Sequence, residues 1–341
     1  MTDYRIALLG FGNVGQAFVR LLQRKKDMLL KEYDLRFSVT GIATGHHGMV
    51  IDTHGINIDQ ALKFISTGNF LGELSAPITI SNPLEFIRSC GADILFENTP
   101  VNYTNGQPAV DYLRAALQAG MHAITANKGP VVHAFRELSQ LAEISGRKFF
   151  FESAVMDGAP IFSLFRESLP AAVLHGFSGI LNSTTNLILS RMEGGETFEQ
   201  ATAYAQAIGI AETDPSGDID GWDAAVKVAA LVSVLMGIPL TPTQVDRTGI
   251  RGLTPGDVGQ AYKQAKRWKL VCTARREGNA VHARVHPELV GEDSPLYGVN
   301  GTSSIITFET DVLPQLSIVE GNPGPETTAY GLLADFINIT R

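Results

Sequence analysis

Gly10-Phe11-Gly12-Asn13-Val14-Gly15 stands between the strand-like run Tyr4–Leu9 and the amphipathic stretch Gln16–Leu30. This G-x-G-x-x-G decides the fold. Its first glycine permits a tight turn, its second lets a pyrophosphate approach the backbone, and its third lets helix and strand pack closely. Free N–H groups at the helix start then face the phosphates. A glycine-rich turn alone is a weak signal, but here the strand before it and the helix after it agree.

Working outward, strands are expected at Phe37–Ala43, Ile78–Ile80, Asp93–Glu97, His122–Thr125 and Lys148–Phe151. Helices fall between them, most clearly at Ala109–Ala119 and Val131–Ile144. Strands alternating with helices predict an α/β fold: a Rossmann-type, doubly wound parallel sheet over residues 1–150. The rhythm changes after Glu152. Helical patterns at Ala159–Ser168, Thr197–Ala207 and Gly221–Met236 mix with strand candidates at Leu174–Ile180, Val281–Val285, Ile305–Thr310 and Gln315–Glu320. This predicts a second, α+β domain over 151–320. Residues 321–341, with a helix at Thr328–Ile339, are expected to pack back on the first domain. The segment after the second strand reads Ala43-Thr44-Gly45-His46-His47. It offers no carboxylate for ribose hydroxyls and nothing that repels a 2′-phosphate, which favours NADP over NAD.

The chain has 341 residues, 44% hydrophobic and 18% charged, a globular composition. A net charge of -8 repels phosphate backbones and argues against a nucleic-acid partner. The two cysteines, Cys90 and Cys272, fit no metal-ligand spacing and imply a reducing compartment. The N-terminus lacks the parts of a signal peptide. Ala224–Leu240 contains Lys227 and Pro239, so it reads as a buried helix and not a membrane span. A cytoplasmic location is therefore expected.

Three segments carry chemistry. Thr125-Ala126-Asn127-Lys128-Gly129-Pro130 follows the fifth strand, at the carboxyl end where open α/β sheets bind ligands. By position Lys128 points toward the nicotinamide, although a solvated lysine is the commoner fate. The second segment, Gly209 to Lys227, holds Glu212, Asp214, Asp218, Asp220 and Asp223. An EF-hand reading fails because Ile219 and Ala225 occupy the glycine and glutamate places. A helix N-terminus explains one or two of these acids but not five. Asp223 and Lys227 share a helix face. On a surface the pair is worth only ~0.3–0.5 kcal/mol. In an apolar helix, a buried lysine needs such a partner and suits proton transfer. The third segment, Gly179 to Asn186, is a polar strand-to-helix turn. It reads either as a carboxylate-binding turn or as an ordinary cap.

These stretches together resemble homoserine dehydrogenases over nearly the whole chain. The matching motifs are G-F-G-N-V-G, T-A-N-K-G-P at 125–130, G-I-L-N-S-T-T-N at 179–186, A-E-T-D-P-S-G-D-I-D-G-W-D-A-A-V-K at 211–227 and T-T-A-Y-G-L-L-A-D at 327–335. The resemblance implies reversible oxidation of L-homoserine to L-aspartate 4-semialdehyde with NAD(P), in threonine and methionine biosynthesis. It implies Lys227 as proton donor to the aldehyde oxygen and Lys128 as a second cation. Glu212 and Asp223 would bind the substrate ammonium or order the lysines, with Asp218, Thr184 and Ser183 lining the same pocket. Asn13, Val14, Thr99, Pro100, Lys128, Gly209 and Gly324 match cofactor-contacting positions, beside Gly10, Gly12 and Gly15. A monovalent cation, Na⁺ or K⁺, would fall at Glu152, Val155, Asp157 and Ala159. A homodimer formed through the second domain is also implied.

The sequence departs from the family pattern in three places. Ser183 stands where the family usually has glycine, Met156-Asp157 replaces small residues, and Gly321–Pro325 is rich in proline. The last helix ends at the chain terminus, so no appended regulatory domain is expected. The rival readings are a two-domain sugar or polyol oxidoreductase, a thiol-dependent semialdehyde dehydrogenase and a non-catalytic dinucleotide sensor.

Overall fold

Along β1 (Thr2–Leu9), Ile6 and Leu8 join one buried cluster while Ala7 and Leu9 join another. That alternation belongs to a strand covered on both faces. The computed structural model describes residues 2–74 and 80–341. It divides into two compact units, Met1–Pro160 with Gly324–Arg341, and Ile161–Pro323.

The first unit runs β1, α1 (Asn13–Tyr33), β2 (Leu35–Ala43), β3 (Met49–Ile51), α2 (Ile58–Ser66), α3 (Pro83–Ser89), β4 (Ile94–Glu97), α4 (Ala109–Gln118), β5 (His122–Thr125), α5 (Lys128–Ile144) and β6 (Phe149–Phe150). Its sheet order is β3-β2-β1-β4-β5-β6. All pairings are parallel except β2 with β3. The expected doubly wound sheet is present. The strand expected at Ile78–Ile80 lies outside the described residues except for Ile80, which has no regular structure. The sheet edge is instead β3, folded back on β2 by a turn in which Thr44 N donates to Gly48 O at 3.0 Å.

The second unit contains β7 (Leu174–Ile180), α6 (Ser183–Glu193), α7 (Phe198–Ala207), α8 (Ser216–Ile219), α9 (Trp222–Leu231), β8 (Asp246–Arg247), α10 (Pro255–Lys263), β9 (Lys266–Glu277), β10 (Ala280–Gly291), β11 (Ser304–Thr310) and β12 (Leu316–Glu320). Its sheet, β12-β11-β7-β9-β10-β8, is antiparallel apart from the β8–β10 edge. The helix expected at Ala159–Ser168 begins at Phe162 and is wound as a π-helix, with i→i+5 bonding, over Leu164–Ser168. The helix expected at Gly221–Met236 is α9, closed by a similar wide turn at Val232–Met236.

The terminal helix α11 (Pro325–Ile339) belongs to the first unit and packs on α1. The ring of Phe336 meets Phe96 edge-on at 6.0 Å, and Phe96 packs on Phe18 at 4.4 Å. Residues 152–160 stay with this unit because α11 holds them. Asp335 Oδ2 accepts from Glu152 N at 2.7 Å, and Ser153 Oγ donates to Thr328 O at 2.8 Å.

His122, at the start of β5, accepts a hydrogen bond from Lys148 N on Nδ1 at 3.0 Å, which requires that nitrogen to be unprotonated. Burial, with Arg147 and Lys148 nearby, lowers its pKa to about 4. The unfolded chain takes up this proton near pH 6.5, before the folded chain does. Stability from His122 is therefore complete above about pH 6.5 and is lost as the pH falls toward 4. His122→Gln is expected to flatten the loss of thermal stability across that window. An unchanged pH slope contradicts this.

Candidate active site

In the first unit, each motif glycine has a distinct reason. Gly10 has φ +96°, and a Cβ there would lie 2.4 Å from Asn98 O. A Cβ on Gly15 would lie 2.6 Å from Gly10 O. These two glycines are required by the turn itself. No protein atom lies within 4 Å of a Cβ built on Gly12, which is exposed, so packing does not explain its identity. A side chain there would fill the approach to the loop, and this fits a dinucleotide pyrophosphate. Asn13 and Val14 open α1, and no side chain caps that helix, so its first N–H groups are presented for an anion.

Behind the loop lies a polar network anchored by Glu97, which is fully buried. Its carboxylate accepts from Thr99 N at 2.8 Å, from Thr99 Oγ1, and from Thr125 Oγ1 at 2.7 Å. Burial raises its pKa, against the pull of those hydrogen bonds. Asn127 Nδ2 donates to Thr99 O at 3.1 Å and Pro100 O at 3.4 Å, while its Oδ1 caps α5 at Gly129 N. The Thr99-Pro100 turn is thus tied to the helix start that carries Lys128, which is half-buried. A cation at a helix N-terminus opposes the helix dipole.

In the second unit, Asp218, Asp223 and Lys227 come together around a residue not singled out from sequence, Asn182. Its Nδ2 donates to Asp218 Oδ1 at 2.6 Å and to Asp223 Oδ2 at 3.1 Å. Its Oδ1 accepts from Thr185 N at 2.9 Å and caps α6. Lys227 Nζ donates to Leu181 O at 2.6 Å and lies 3.2 Å from Asp223 Oδ2. Asp223 is 7% exposed, and the side chain of Lys227 is 15% exposed. This is the buried pair expected from the i, i+4 spacing. Burial and the neighbouring Asp223 charge raise the Asp218 pKa. Ser183 and Thr184 form the first turn of α6, and Thr184 Oγ1 donates to Ile210 O at 3.3 Å.

Glu212 is exposed, and its main-chain carbonyl accepts from Gln206 Nε2 at 3.2 Å. Gly209, with φ +76°, terminates α7. Both cysteines are buried. Burial pushes the Cys272 thiol up to about 12 and raises that of Cys90, so neither is a nucleophile.

Glu152, Val155, Asp157 and Ala159 lie in the segment held by α11. Glu152 is 2% exposed. The Asp157 carboxylate accepts from Gly324 N and Thr327 Oγ1, both at 2.8 Å. Its side chain thus serves α11, and the Gly324 N–H is already engaged. Among the described residues, no group of three or more His, Cys, Asp or Glu side chains is arranged to hold a metal. No described helix is long and apolar enough to cross a membrane.

A family model for "Homoserine dehydrogenase" matches residues 160–337, and one for "Homoserine dehydrogenase, NAD binding domain" matches residues 10–152. The chain belongs to the homoserine dehydrogenase family. An NAD(+)-dependent homoserine dehydrogenase of Pseudomonas canavaninivorans is 33% identical over 99% of this chain and 97% of its own. A homoserine dehydrogenase of Methanocaldococcus jannaschii is 35% identical, over 98% of each chain. A crystal structure of the Thiobacillus denitrificans homoserine dehydrogenase matches with a TM-score of 0.84 at 31% identity, over all of this chain and 74% of that one. Family membership makes the chain an oxidoreductase that uses a nicotinamide dinucleotide and acts on a CH–OH group. The sugar, thiol-dependent and non-catalytic alternatives find no support in these matches.

Proposed function

We propose that the chain interconverts L-homoserine and L-aspartate 4-semialdehyde, with the first unit binding the dinucleotide and the second the amino acid. The observation that carries this is the buried cluster of Asp218, Asp223 and Lys227 around Asn182. Asp218 and Asp223 offer carboxylate oxygens to the α-ammonium of the substrate. The first turn of α6, at Ser183 and Thr184, supplies donors for the substrate carboxylate. Lys227 is oriented by Leu181 O and Asp223 and delivers a proton to the aldehyde oxygen as charge develops there. When bound, the nicotinamide supplies or accepts the hydride.

The bound cofactor is proposed to be NADP in preference to NAD, because the turn after β2 carries no carboxylate. The Thr44 hydroxyl donates to Gly48 O at 3.1 Å and accepts from His47 N at 2.7 Å. That leaves His46, and the Nε2 edge of His47, whose Nδ1 lies 3.3 Å from Asn69 O, to meet a 2′-phosphate. A monovalent cation, K⁺ or Na⁺, fits the 152–159 segment in part. The buried Glu152 carboxylate is a suitable oxygen ligand, whereas Asp157 would contribute only its main-chain carbonyl. A homodimer through the second unit and a cytoplasmic setting complete the reading.

The test is turnover of homoserine with NAD and with NADP, in K⁺, Na⁺ and choline buffers. Turnover faster with NADP supports the proposal, and no turnover under any condition overturns it. Glu212→Ala is expected to raise the homoserine KM with little change in dinucleotide affinity. A fall in dinucleotide affinity instead would remove Glu212 from the substrate pocket.

A further inference from the structure

Asp218 sits on α8, a helix of four residues in which only Ile219 is buried. Asp223 sits on α9, where every residue from Ala224 to Leu231 except Lys227 is buried. Asp223 is therefore placed by a core and Asp218 is not. Asn182 holds the Asp218 side chain, and the α8 backbone is held from outside by the segment 247–251. Ile250 N donates to Ile219 O at 2.9 Å. Arg247 Nη1 donates to Asp220 O, and its guanidinium lies 3.8 Å over the Trp222 ring. Gly249 allows the closest approach: a Cβ there would lie 2.2 Å from Ile219 O and 2.5 Å from Asp220 Cα. Arg251 adds a bidentate pair to Asp220 at 2.9 and 3.1 Å, but this pair is exposed and contributes little.

We propose that Gly249 and Arg247 are positioning residues that fix Asp218 opposite Asp223, and so set the affinity for the substrate ammonium. The proposal rests on the reading of Asp218 as part of the ammonium pocket. Backbone contact at Gly249 sets how near the strap comes, and the guanidinium of Arg247 holds the α8–α9 turn against it. A side chain at 249 pushes the 219–220 backbone away and carries Asp218 with it, while α9 keeps Asp223 and Lys227 in place. The substrate amine then loses one of its two carboxylates, and the proton-donating group is untouched.

The experiment compares wild type, Gly249→Ala and Arg247→Met in homoserine oxidation. Arg247→Met keeps an unbranched stem beside Gly221 and removes the guanidinium. Each variant is expected to raise the homoserine KM about tenfold or more, in line with the cost of sub-ångström misplacement. Turnover at saturation should stay within about threefold and the dinucleotide KM should not change, a split that general loss of structure does not produce. If Gly249→Ala fails to fold, Arg247→Met decides. An unchanged homoserine KM in folded variants, or a loss confined to kcat, overturns the proposal while leaving the activity assignment intact. A wild-type enzyme that does not oxidise homoserine overturns the functional reading itself, and the proposed role with it.

Discussion

Lys227→Ala is expected to lower turnover about 10²–10⁴-fold, the range for loss of a positioned acid, while dinucleotide binding is retained. The side chain combines a partly buried ammonium, a carboxylate partner at 3.2 Å and a carbonyl acceptor at 2.6 Å. Those contacts orient the amine, and removing it takes the Lys227 cation from the buried Asp223 carboxylate. Breaking a buried pair in this way costs about 3–5 kcal/mol. Activity must therefore be read at a temperature where circular dichroism shows the variant folded. The dinucleotide loop belongs to the other unit, so dinucleotide affinity serves as the internal control. A folded variant with wild-type turnover would reduce the Asp223–Lys227 pair to a structural element.

Asn182→Ala is expected to lower kcat/KM about 10²–10³-fold. One amide nitrogen donates to two carboxylates, and hydrogen bonds to charged groups contribute about 1.5–3 kcal/mol each. Without it, Asp218 and Asp223 repel across a poorly hydrated gap, and the Asp218 pKa, already raised by burial and by Asp223, rises further. Asn182 also caps α6, so the alanine variant loses about 1 kcal/mol from the helix as well. Asn182→Asp separates the two roles. It retains an acceptor for Thr185 N but replaces the donor with a third carboxylate. If capping alone mattered, Asn182→Asp would behave like wild type; the shared-donor role requires it to be at least as impaired as Asn182→Ala.

The first unit was legible because its chemistry is local. The glycine motif, the strand before it and the helix after it lie within adjacent residues, and β5 falls on the predicted His122–Thr125. Elements escaped where other signals masked the pattern. β9 is twelve residues long, but its Lys and Arg at both ends hide the buried Lys269–Cys272 centre. β3 has three residues and exists through its turn. One missed helix did carry a readable start: Thr254-Pro255 with Asp257 forms the capping box of α10.

The site divides in the same way. Asp223 and Lys227 are one helical turn apart, so their pairing follows from spacing. Asn182 meets Asp218 and Asp223 across 36 and 41 residues, a contact that only the fold creates. Glu97 was hidden for a different reason. A glutamate ending an apolar strand looks like a surface residue until Thr99 and Thr125 are found on it.

The central claim is that Lys227, oriented by Leu181 O and Asp223, delivers the proton to the substrate oxygen. The most direct measurement is a crystal structure with dinucleotide and homoserine bound. The account predicts the Lys227 Nζ within about 2.6–3.2 Å of the homoserine hydroxyl oxygen, or joined to it by one water. A hydroxyl oxygen that does not meet this amine, with the substrate ammonium away from Asp218 and Asp223, would contradict it.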